Sequence, residues 1–380
     1  MKIFGSYQNI SRAILFIGII LLSFMSCQKE KTINIGYIGP LSTRATDLGI
    51  APSKAMKLAV AEYNENRKNN EPKINLIIED DKWEEKEAIP AYERLRKQDV
   101  KVVFISNTDG TIAISKRIKN DGVILVNPTN NDAILDELNH NVFRIAKSTE
   151  ETHSLVAQRI INLGLKNVLI IHYPNDFMTL GAKVCSELLD EAGIKNKVIC
   201  YEPGKIDFLE DFKAFKKENY DSYLFFGYKE YGYAMKQARD LGIKAKFFGS
   251  TVLLDKNFYK NSEGAIIGTE FLFFTPEDGN YFLANKFLDK YEKSFGEKPF
   301  SVWPAMQAYD AMNIVISKLR KINEKEDLKF DDWLREQLYK TRYYEGVCGN
   351  ISISYQGNSK GIYFSLFEYI SEGKYSKVNN

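Results

Sequence analysis

The sequence predicts an α/β protein made of two doubly wound lobes, each built around its own parallel sheet. The chain has 380 residues, which is long for one core and suits two domains of ordinary size. From residue 33 onward, short runs rich in Val and Ile alternate with segments of helical period. This alternation occurs twice, once before and once after Phe143-Arg144-Ile145, and therefore indicates two lobes.

Strands are predicted wherever a short apolar run is bounded by turn residues, as expected for strands covered on both faces. The first series of runs covers residues 33–38, 74–79, 102–105 and 123–126, and the second covers 168–171, 197–201, 223–226 and 246–248. Two amphipathic helices over 284–295 and 305–319 follow with no strand between them. After a helix near Trp333, the chain ends in a ribbon of short strands that turns at Gln356-Gly357-Asn358.

Charge gives no indication of a polyanionic partner. Fifty-two Lys and Arg residues stand against fifty Asp and Glu residues, so the formal net charge is +2. No long block of one sign occurs, and nucleic acid is not expected as a ligand.

The amino terminus is typical of an export signal. Basic residues precede an apolar run over 13–22, which is shorter than the roughly 20 residues that a membrane-spanning helix needs. Ser26 before Cys27 resembles the lipobox of bacterial lipoproteins, in which the cysteine is acylated after cleavage. We therefore predict a lipoprotein signal peptide over residues 1–26 and a lipid anchor on Cys27. The alternative is a plain signal peptide in which Cys27 is incidental.

Three further cysteines stand in a chain predicted to reach a compartment that permits disulfides. At most one internal pair can form among Cys185, Cys200 and Cys348. A bridge between Cys185 and Cys200 stays open, and we expect buried free thiols.

Motifs for cofactor chemistry are absent from the sequence. No glycine-rich phosphate loop follows a strand, and His140, His153 and His172 lack the spacing of a zinc site. No metal and no cofactor are expected. The tightest acidic cluster, Glu79-Asp80-Asp81, ends a strand, and we interpret Asp81 as the N-cap of a helix over 83–97 rather than as a catalytic acid. No G-x-S-x-G motif presents a serine nucleophile, so the chain is not expected to be an enzyme.

Several short motifs follow one another along the chain. They are Ile35-Gly36-Tyr37-Ile38-Gly39-Pro40-Leu41-Ser42, Glu79-Asp80-Asp81, Phe143-Arg144-Ile145, Gln237-Ala238-Arg239-Asp240-Leu241-Gly242, Phe295-Gly296-Glu297-Lys298-Pro299, Ala308-Tyr309-Asp310-Ala311 and Tyr344-Glu345-Gly346-Val347-Cys348-Gly349. With them the chain resembles the branched-chain amino acid (Leu/Ile/Val)-binding family of type I periplasmic solute-binding proteins, over about residues 33–374. Because of the lipobox, the chain resembles a lipoprotein form of this family.

The resemblance implies two lobes joined by a three-stranded hinge, which the chain crosses near residues 146–150, 274–278 and 343–346. Residues 27–147 and 277–344 would then form the first lobe, and residues 148–276 and 345–380 the second. The two late helices would return to the first lobe.

The resemblance also implies a cleft between the facing carboxyl ends of the two sheets, where open α/β sheets bind ligands. The candidate ligand-binding residues of the first lobe are Ser42, Leu48, Trp83, Asp109, Gly110, Thr111, Thr129 and Asn130. The segment 107–111 is expected to open a helix, and it either receives a ligand carboxylate or forms an ordinary N-cap. The candidates of the second lobe are Met178, preceded by Phe177, then Tyr228 and Thr251.

Two positions depart from the family pattern. Amino acid binders of the family usually have an aromatic residue near Met178 and an acid near Thr251 that holds the ligand's ammonium group. Burial of an ammonium without a carboxylate costs on the order of several kcal/mol. An unmodified α-amino acid is therefore expected only if Asp109, Asp176 or Glu230 replaces the missing acid.

The resemblance thus implies a monomeric, extracytoplasmic lipoprotein that closes its cleft around a small polar solute, an amino acid or a related compound. Its partners would be an ABC permease in the cytoplasmic membrane and, through acylated Cys27, the lipid bilayer. Three alternatives stay open: a sensor that docks a signalling receptor, a cleft enzyme that uses Asp80, Asp81 or Glu230, and a surface lipoprotein whose cleft has degenerated.

Overall fold

A computed structural model describes residues 31–42, 45–132, 135, 138, 140–254, 256–273, 281–325 and 327–378. The predicted leader over 1–26 and Cys27 lie outside these residues, as does the whole of the predicted second crossing over 274–278. Within the described residues, no helix combines the length and the apolar character needed to cross a membrane.

The first sheet has five strands, all parallel, in the order β2-β1-β3-β4-β5. These strands are β1 Thr32–Gly39, β2 Lys73–Asp80, β3 Val102–Ile105, β4 Ile124–Asn127 and β5 Val142–Arg144. Both faces of the central strands are buried, which explains their continuous Val and Ile runs.

The second sheet repeats this winding in the order β7-β6-β8-β9-β10 and adds two antiparallel strands at one edge, β14 beside β10 and β15 beside β14. Its strands are β6 Asn167–His172, β7 Lys195–Cys200, β8 Ser222–Phe226, β9 Lys246–Gly249, β10 Glu270–Phe273, β14 Ser365–Ser371 and β15 Lys374–Lys377. A small antiparallel sheet contains β11 Tyr344–Glu345, β12 Gly349–Ile353 and β13 Ser359–Ile362.

Helices cover both faces of each sheet. In chain order they are α1 Ile50–Asn66, α2 Glu85–Arg96, α3 Thr108–Asp121, α4 Thr149–Asn162, α5 Asp176–Glu191, α6 Leu209–Lys217, α7 Tyr231–Asp240, α8 Lys256–Ser262, α9 Phe282–Phe295, α10 Val302–Leu319 and α11 Phe330–Tyr339. In the first lobe, α1, α9, α10 and α11 share one core, and α2 and α3 share the other. In the second lobe, α6, α7 and α8 cover one face, and α4 and α5 cover the opposite face.

The predicted fold class is confirmed: two doubly wound α/β lobes, with the late helices α9 and α10 packed in the first. The eight predicted strands lie within two residues of the observed β1–β4 and β6–β9. The sequence pattern does not predict β5 and β10. β5 has only three residues and ends with Arg144, and β10 begins with Glu270; both charged side chains are buried through partners that are distant in sequence. The terminal ribbon is also more than a hairpin, since β14 joins the second sheet.

The late part of the chain differs from the predicted division at residue 345. Val347, Cys348, Ile351, Ile353 and Ile362 are buried in the core that α1 and α10 form, so this hairpin belongs with the first lobe. The second sheet receives the chain only from Ser365 onward. We therefore propose that the third crossing lies just after residue 362, about 20 residues later than the motif resemblance implies.

Candidate functional site

The loops after β1 and β2 are joined by the carboxylate of Asp80. Its Oδ1 accepts hydrogen bonds from the Leu41 and Lys82 N–H groups, both 2.9 Å away, and its Oδ2 accepts one from Ser42 Oγ at 2.5 Å. Burial works to raise the pKa of Asp80, but these hydrogen bonds outweigh it and hold the pKa below its ordinary value. Ser42 and Asp80 thus hold two cleft loops together, and Ser42 stays exposed at the edge of the sheet.

Asp81 does not cap α2, which begins only at Glu85. Its Oδ1 instead accepts the N–H of Trp83 at 3.1 Å, because Lys82 and Trp83 both have left-handed backbones, with φ of 53° and 59°. Burial raises the pKa of the Asp81 carboxyl. Two consecutive non-glycine residues in this region cost free energy, and such strain clusters at ligand sites. The half-buried Trp83 is thereby held in a fixed place at the edge of the first sheet.

Leu48 ends a 3₁₀ turn over Thr46–Leu48 and is half-buried. Its carbonyl accepts a hydrogen bond from Tyr37 Oη at 3.2 Å, and the same hydroxyl lies 2.8 Å from Ser106 Oγ. Tyr37 therefore connects the loop after β1 with the loop after β3.

The predicted helix start at 107–111 is observed as the first turn of α3. Asn107 is its N-cap, with Oδ1 accepting the Gly110 N–H at 3.2 Å. A side chain on Gly110 would place its Cβ 2.8 Å from both Ala88 and Ile105, so this glycine allows close helix packing. Asp109 is exposed, whereas Thr111 is fully buried and donates to the Asn107 carbonyl at 2.7 Å.

Asn127 at the end of β4 organises the next loop. Its Oδ1 accepts from the Thr129 and Asn130 N–H groups at 2.9 and 2.8 Å, and its Nδ2 donates to Thr111 Oγ1 at 2.9 Å. Thr129 is buried and donates to the Ser106 carbonyl at 2.6 Å. The hydroxyls of Thr111 and Thr129 are therefore engaged within the lobe. Asn130 is half-buried, and its side chain donates to Thr108 Oγ1 and accepts the Asp132 N–H.

In the second lobe, Met178 and Tyr228 have opposite exposures. Met178 is fully buried in the core that α5 covers. Contrary to the prediction, its side chain is therefore not at the surface that would face a ligand. Tyr228 is 41 % exposed; its Oη accepts a hydrogen bond from Asn175 Nδ2 at 2.9 Å, and its ring meets that of Tyr173 edge-on at 5.0 Å. Thr251 begins a 3₁₀ turn over Thr251–Leu254 directly after β9, and the structure describes its backbone alone.

Three residues that the sequence interpretation did not select help to build this site. Asn175 caps α5 by accepting the Met178 N–H at 2.8 Å, and an Asn directly before a helical segment is a signal that could have revealed it. Lys147, at the first crossing, lies against the rings of Phe177 and Trp303. No sequence signal identifies Lys147 or Trp303, because their contact depends on the fold.

The carboxyl edges of the two sheets meet at this crossing. The N–H of Asn131, which follows β4 closely, donates to the Lys147 carbonyl at 3.1 Å, and Phe177 follows β6. The first crossing therefore brings the loop after β4 and the segment after β6 together at Lys147.

The cysteine thiols of the described residues are free, and His153 is buried. Cys185, Cys200 and Cys348 are free; Cys185 and Cys348 are buried as expected, whereas Cys200 is exposed. Burial lowers the pKa of His153 to about 3, so this histidine is neutral at physiological pH. Among the described residues, no cluster of three or more His, Cys, Asp or Glu side chains is arranged to hold a metal ion.

Comparison with known proteins agrees with this architecture. The periplasmic binding protein family model matches residues 32–365. The Leu/Ile/Val-binding protein of Citrobacter freundii is 22% identical over 380 residues, covering 96% of this chain and 98% of the relative.

Solved structures with the same fold carry different small molecules. A branched-chain amino acid transporter substrate-binding protein of Streptococcus pneumoniae, in complex with isoleucine, has a TM-score of 0.74 at 22% identity and covers 92% of this chain and 99% of its own. An ABC transporter solute-binding protein of Rhodopseudomonas palustris BisB5, in complex with 3,4-dihydroxybenzoic acid, has a TM-score of 0.75 at 19% identity, with coverages of 90% and 95%.

The five parallel strands of the first sheet and the five of the second share one strand order, and the family match identifies this two-lobed architecture as that of solute-binding proteins. The chain belongs to the periplasmic binding protein family.

Proposed function

We propose that this chain captures a small solute bearing a carboxylate between its lobes, performs no chemistry on it, and delivers it to an ABC importer. The observation that carries the proposal is a pair of asparagine-capped helix N-termini, α3 after β3 and α5 after β6. Each follows a strand at the point where the strand order reverses, β1/β3 in one sheet and β6/β8 in the other. Helix N-termini favour anions, because their N–H groups and dipoles carry partial positive charge.

Aromatic side chains at the same edges support an apolar or planar group on this solute. Trp83 lies at the edge of the first sheet, and Tyr173, Phe177 and Tyr228 follow strands of the second. Isoleucine and 3,4-dihydroxybenzoic acid, the ligands of the two solved relatives, share a carboxylate attached to a hydrocarbon body, which in the second ligand is a planar ring with two hydroxyl groups. We therefore propose a ligand of this shape, with branched-chain amino acids and aromatic acids as the two classes to compare.

A thermal-shift panel of amino acids and aromatic carboxylates tests this function. A ligand present at 100 times its Kd is expected to raise the free energy of unfolding by about 2.7 kcal/mol. Tyr228→Ala is expected to weaken binding about tenfold, because the exposed ring would no longer contact the solute. Tyr355→Ala is the control, since this tyrosine is also exposed but contacts Tyr339 and Arg342 of the first lobe. A panel without any shift would contradict the proposal.

We propose further that Cys27 is acylated and anchors the protein to the extracytoplasmic face of a membrane. The support is the sequence Ser26-Cys27 directly after an apolar leader. Replacing Cys27 with serine is expected to move the protein from the membrane fraction to the soluble extracytoplasmic fraction. Mass spectrometry of the mature amino terminus gives a direct readout, and an unacylated Cys27 in membrane-bound protein would argue against the anchor.

The alternative roles make different predictions. A sensor would be recovered with a signalling receptor rather than with a permease when the native protein is purified with its membrane partner. An enzyme that uses Asp80 would need that carboxylate for proton transfer, yet three hydrogen bonds within the cleft loops already engage it. Recovery of the bound solute unchanged after long incubation would exclude turnover.

A further inference from the structure

The side chain of Lys147 lies between two aromatic rings. Its Nζ is 4.7 Å from the centre of the Phe177 ring and 5.2 Å from the centre of the Trp303 ring. Both distances are within the range of cation–π attraction, which is strongest when the cation is removed from water. Lys147 is only 4 % exposed, so this condition is met.

The two rings belong to different lobes. Trp303 is in the first turn of α10, whose following residues Ala305 and Met306 are buried in the core of the first lobe. Phe177 is in the first turn of α5 and packs against the core of the second lobe. One ammonium group therefore contacts both lobes.

The backbone of Lys147 is fixed to the first lobe. Its N–H donates to Gln307 Oε1 at 3.2 Å, and its carbonyl accepts from the Asn131 N–H at 3.1 Å. Because Phe177 belongs to the other lobe, a rotation of the lobes about the first crossing would separate its ring from the ammonium. The Lys147–Phe177 contact is thus the part of this cluster that depends on lobe arrangement.

We infer that Lys147 is a positioning residue for solute capture, which holds the lobes in the observed arrangement through its cation–π contact with Phe177. The inference rests on the proposed function only for its effect on affinity. When the protein is already held in its binding-competent arrangement, less of the ligand's binding free energy is used to rearrange the lobes. The apparent affinity for the ligand is therefore higher. Loss of the contact is expected to shift the ligand-free lobes toward a more open arrangement and to weaken solute binding about tenfold.

The charged and titratable groups that face Lys147 include Asp132, from the loop after β4, and His153, from α4. Asp132 accepts the N–H and hydroxyl of Thr149 at 2.5 and 2.8 Å, and its charge opposes the effect of burial on Lys147. Burial nevertheless lowers the pKa of Lys147 to about 8, and neutral His153 packs edge-on against Phe177 with ring centres 5.4 Å apart. Raising the pH from 7 to 9 is therefore expected to remove the cation and open the lobes.

The experiment compares Lys147→Met, which removes the charge, with Lys147→Arg, which keeps a cation able to lie on aromatic rings. Spin labels at Lys116→Cys on α3 and Lys183→Cys on α5, both exposed, report the distance between the lobes of the full-length protein in detergent. Cys200→Ser removes the exposed native thiol. Without ligand, Lys147→Met is expected to lengthen this distance, and Lys147→Arg to preserve it at pH 7 and also at pH 9.

A double-mutant cycle with Phe177→Leu completes the test. If the two side chains act through one contact, Lys147→Met changes the distance little once Phe177 is replaced. Equal effects of Lys147→Met and Lys147→Arg, additive effects in the cycle, or an unchanged distance from pH 7 to pH 9 would each overturn the inference. The distance is measured without solute, so a failure of the proposed function leaves this test intact, and binding measurements then report the effect on affinity separately.

Discussion

Replacing Glu270 with alanine is expected to lower the free energy of unfolding by about 1.5–3 kcal/mol, because it removes charge-assisted hydrogen bonds to Arg159 and Lys246, whose side chains are partly exposed. Glu270 is 1 % exposed and lies in β10. Its carboxylate accepts hydrogen bonds from Arg159 Nε at 2.8 Å and Nη2 at 3.2 Å, and Lys246 Nζ lies 2.8 Å away. Burial works to raise the pKa of Glu270, but the hydrogen bonds and charges of Arg159 and Lys246 outweigh it and lower the pKa.

The measurement is urea unfolding of the second lobe, monitored by circular dichroism. Fluorescence does not serve here, because the three tryptophans, Trp83, Trp303 and Trp333, all belong to the first lobe. Glu187→Ala removes one partner of an exposed ion pair with Lys183 on α5 and is expected to cost less than about 1 kcal/mol. Similar losses for Glu270→Ala and Glu187→Ala would show that the buried carboxylate adds no more stability than a surface one.

The cluster of Glu270, Arg159 and Lys246 shows why part of the fold cannot be predicted from the sequence. The strands β1 to β4 and β6 to β9 are recognisable because apolar residues cover them on both faces. In β10 the first residue is an acid, and its burial depends on an arginine 111 positions earlier in the chain. A local pattern contains no information about such a partner, so Glu270 reads as an exposed position.

The sequence predicts where a cleft lies, but it does not predict the role of each side chain there. Ser42, Trp83, Asn130 and Tyr228 are exposed or half-buried at the carboxyl edges, where the motif resemblance places a site. The hydroxyl of Thr111 is instead engaged by neighbours within its lobe. Whether a polar side chain faces a ligand or a neighbouring loop depends on contacts between loops that are distant in sequence.

Lys147 makes the same point for long-range contacts. Its neighbours in sequence, Ala146 and Ser148, are small residues that give no indication of an aromatic environment. Phe177 and Trp303 reach its ammonium only because the chain crosses between lobes at this residue and α10 returns to the first lobe. Sequence motifs can identify the crossing, but they do not identify the side chains that meet there.

Asp310 is expected to make the stability of the first lobe fall as the pH rises from 4 to 7. Its carboxylate is fully buried on α10 and accepts the N–H groups of Val347 and Cys348 at 2.9 and 2.7 Å. Burial raises its pKa from 3.8 to about 7 against the effect of these hydrogen bonds. Between these two values the folded protein keeps a proton that the unfolded chain releases, so about 4 kcal/mol of stability is lost across the interval.

Asp310→Asn is expected to remove this part of the pH dependence, because an amide does not titrate. The Asp310→Asn variant is also expected to be less stable than the native protein near pH 4. The NH₂ group of the amide would face one of the two backbone N–H donors and could not accept its hydrogen bond. Urea unfolding followed by tryptophan fluorescence at pH 4.5, 5.5, 6.5 and 7.5 gives both effects, with Asp332→Asn as a control at a more exposed carboxylate on α11. Stability curves that stay parallel for the native protein and Asp310→Asn would mean that the two backbone N–H groups keep Asp310 ionised throughout, and that burial does not govern this carboxyl.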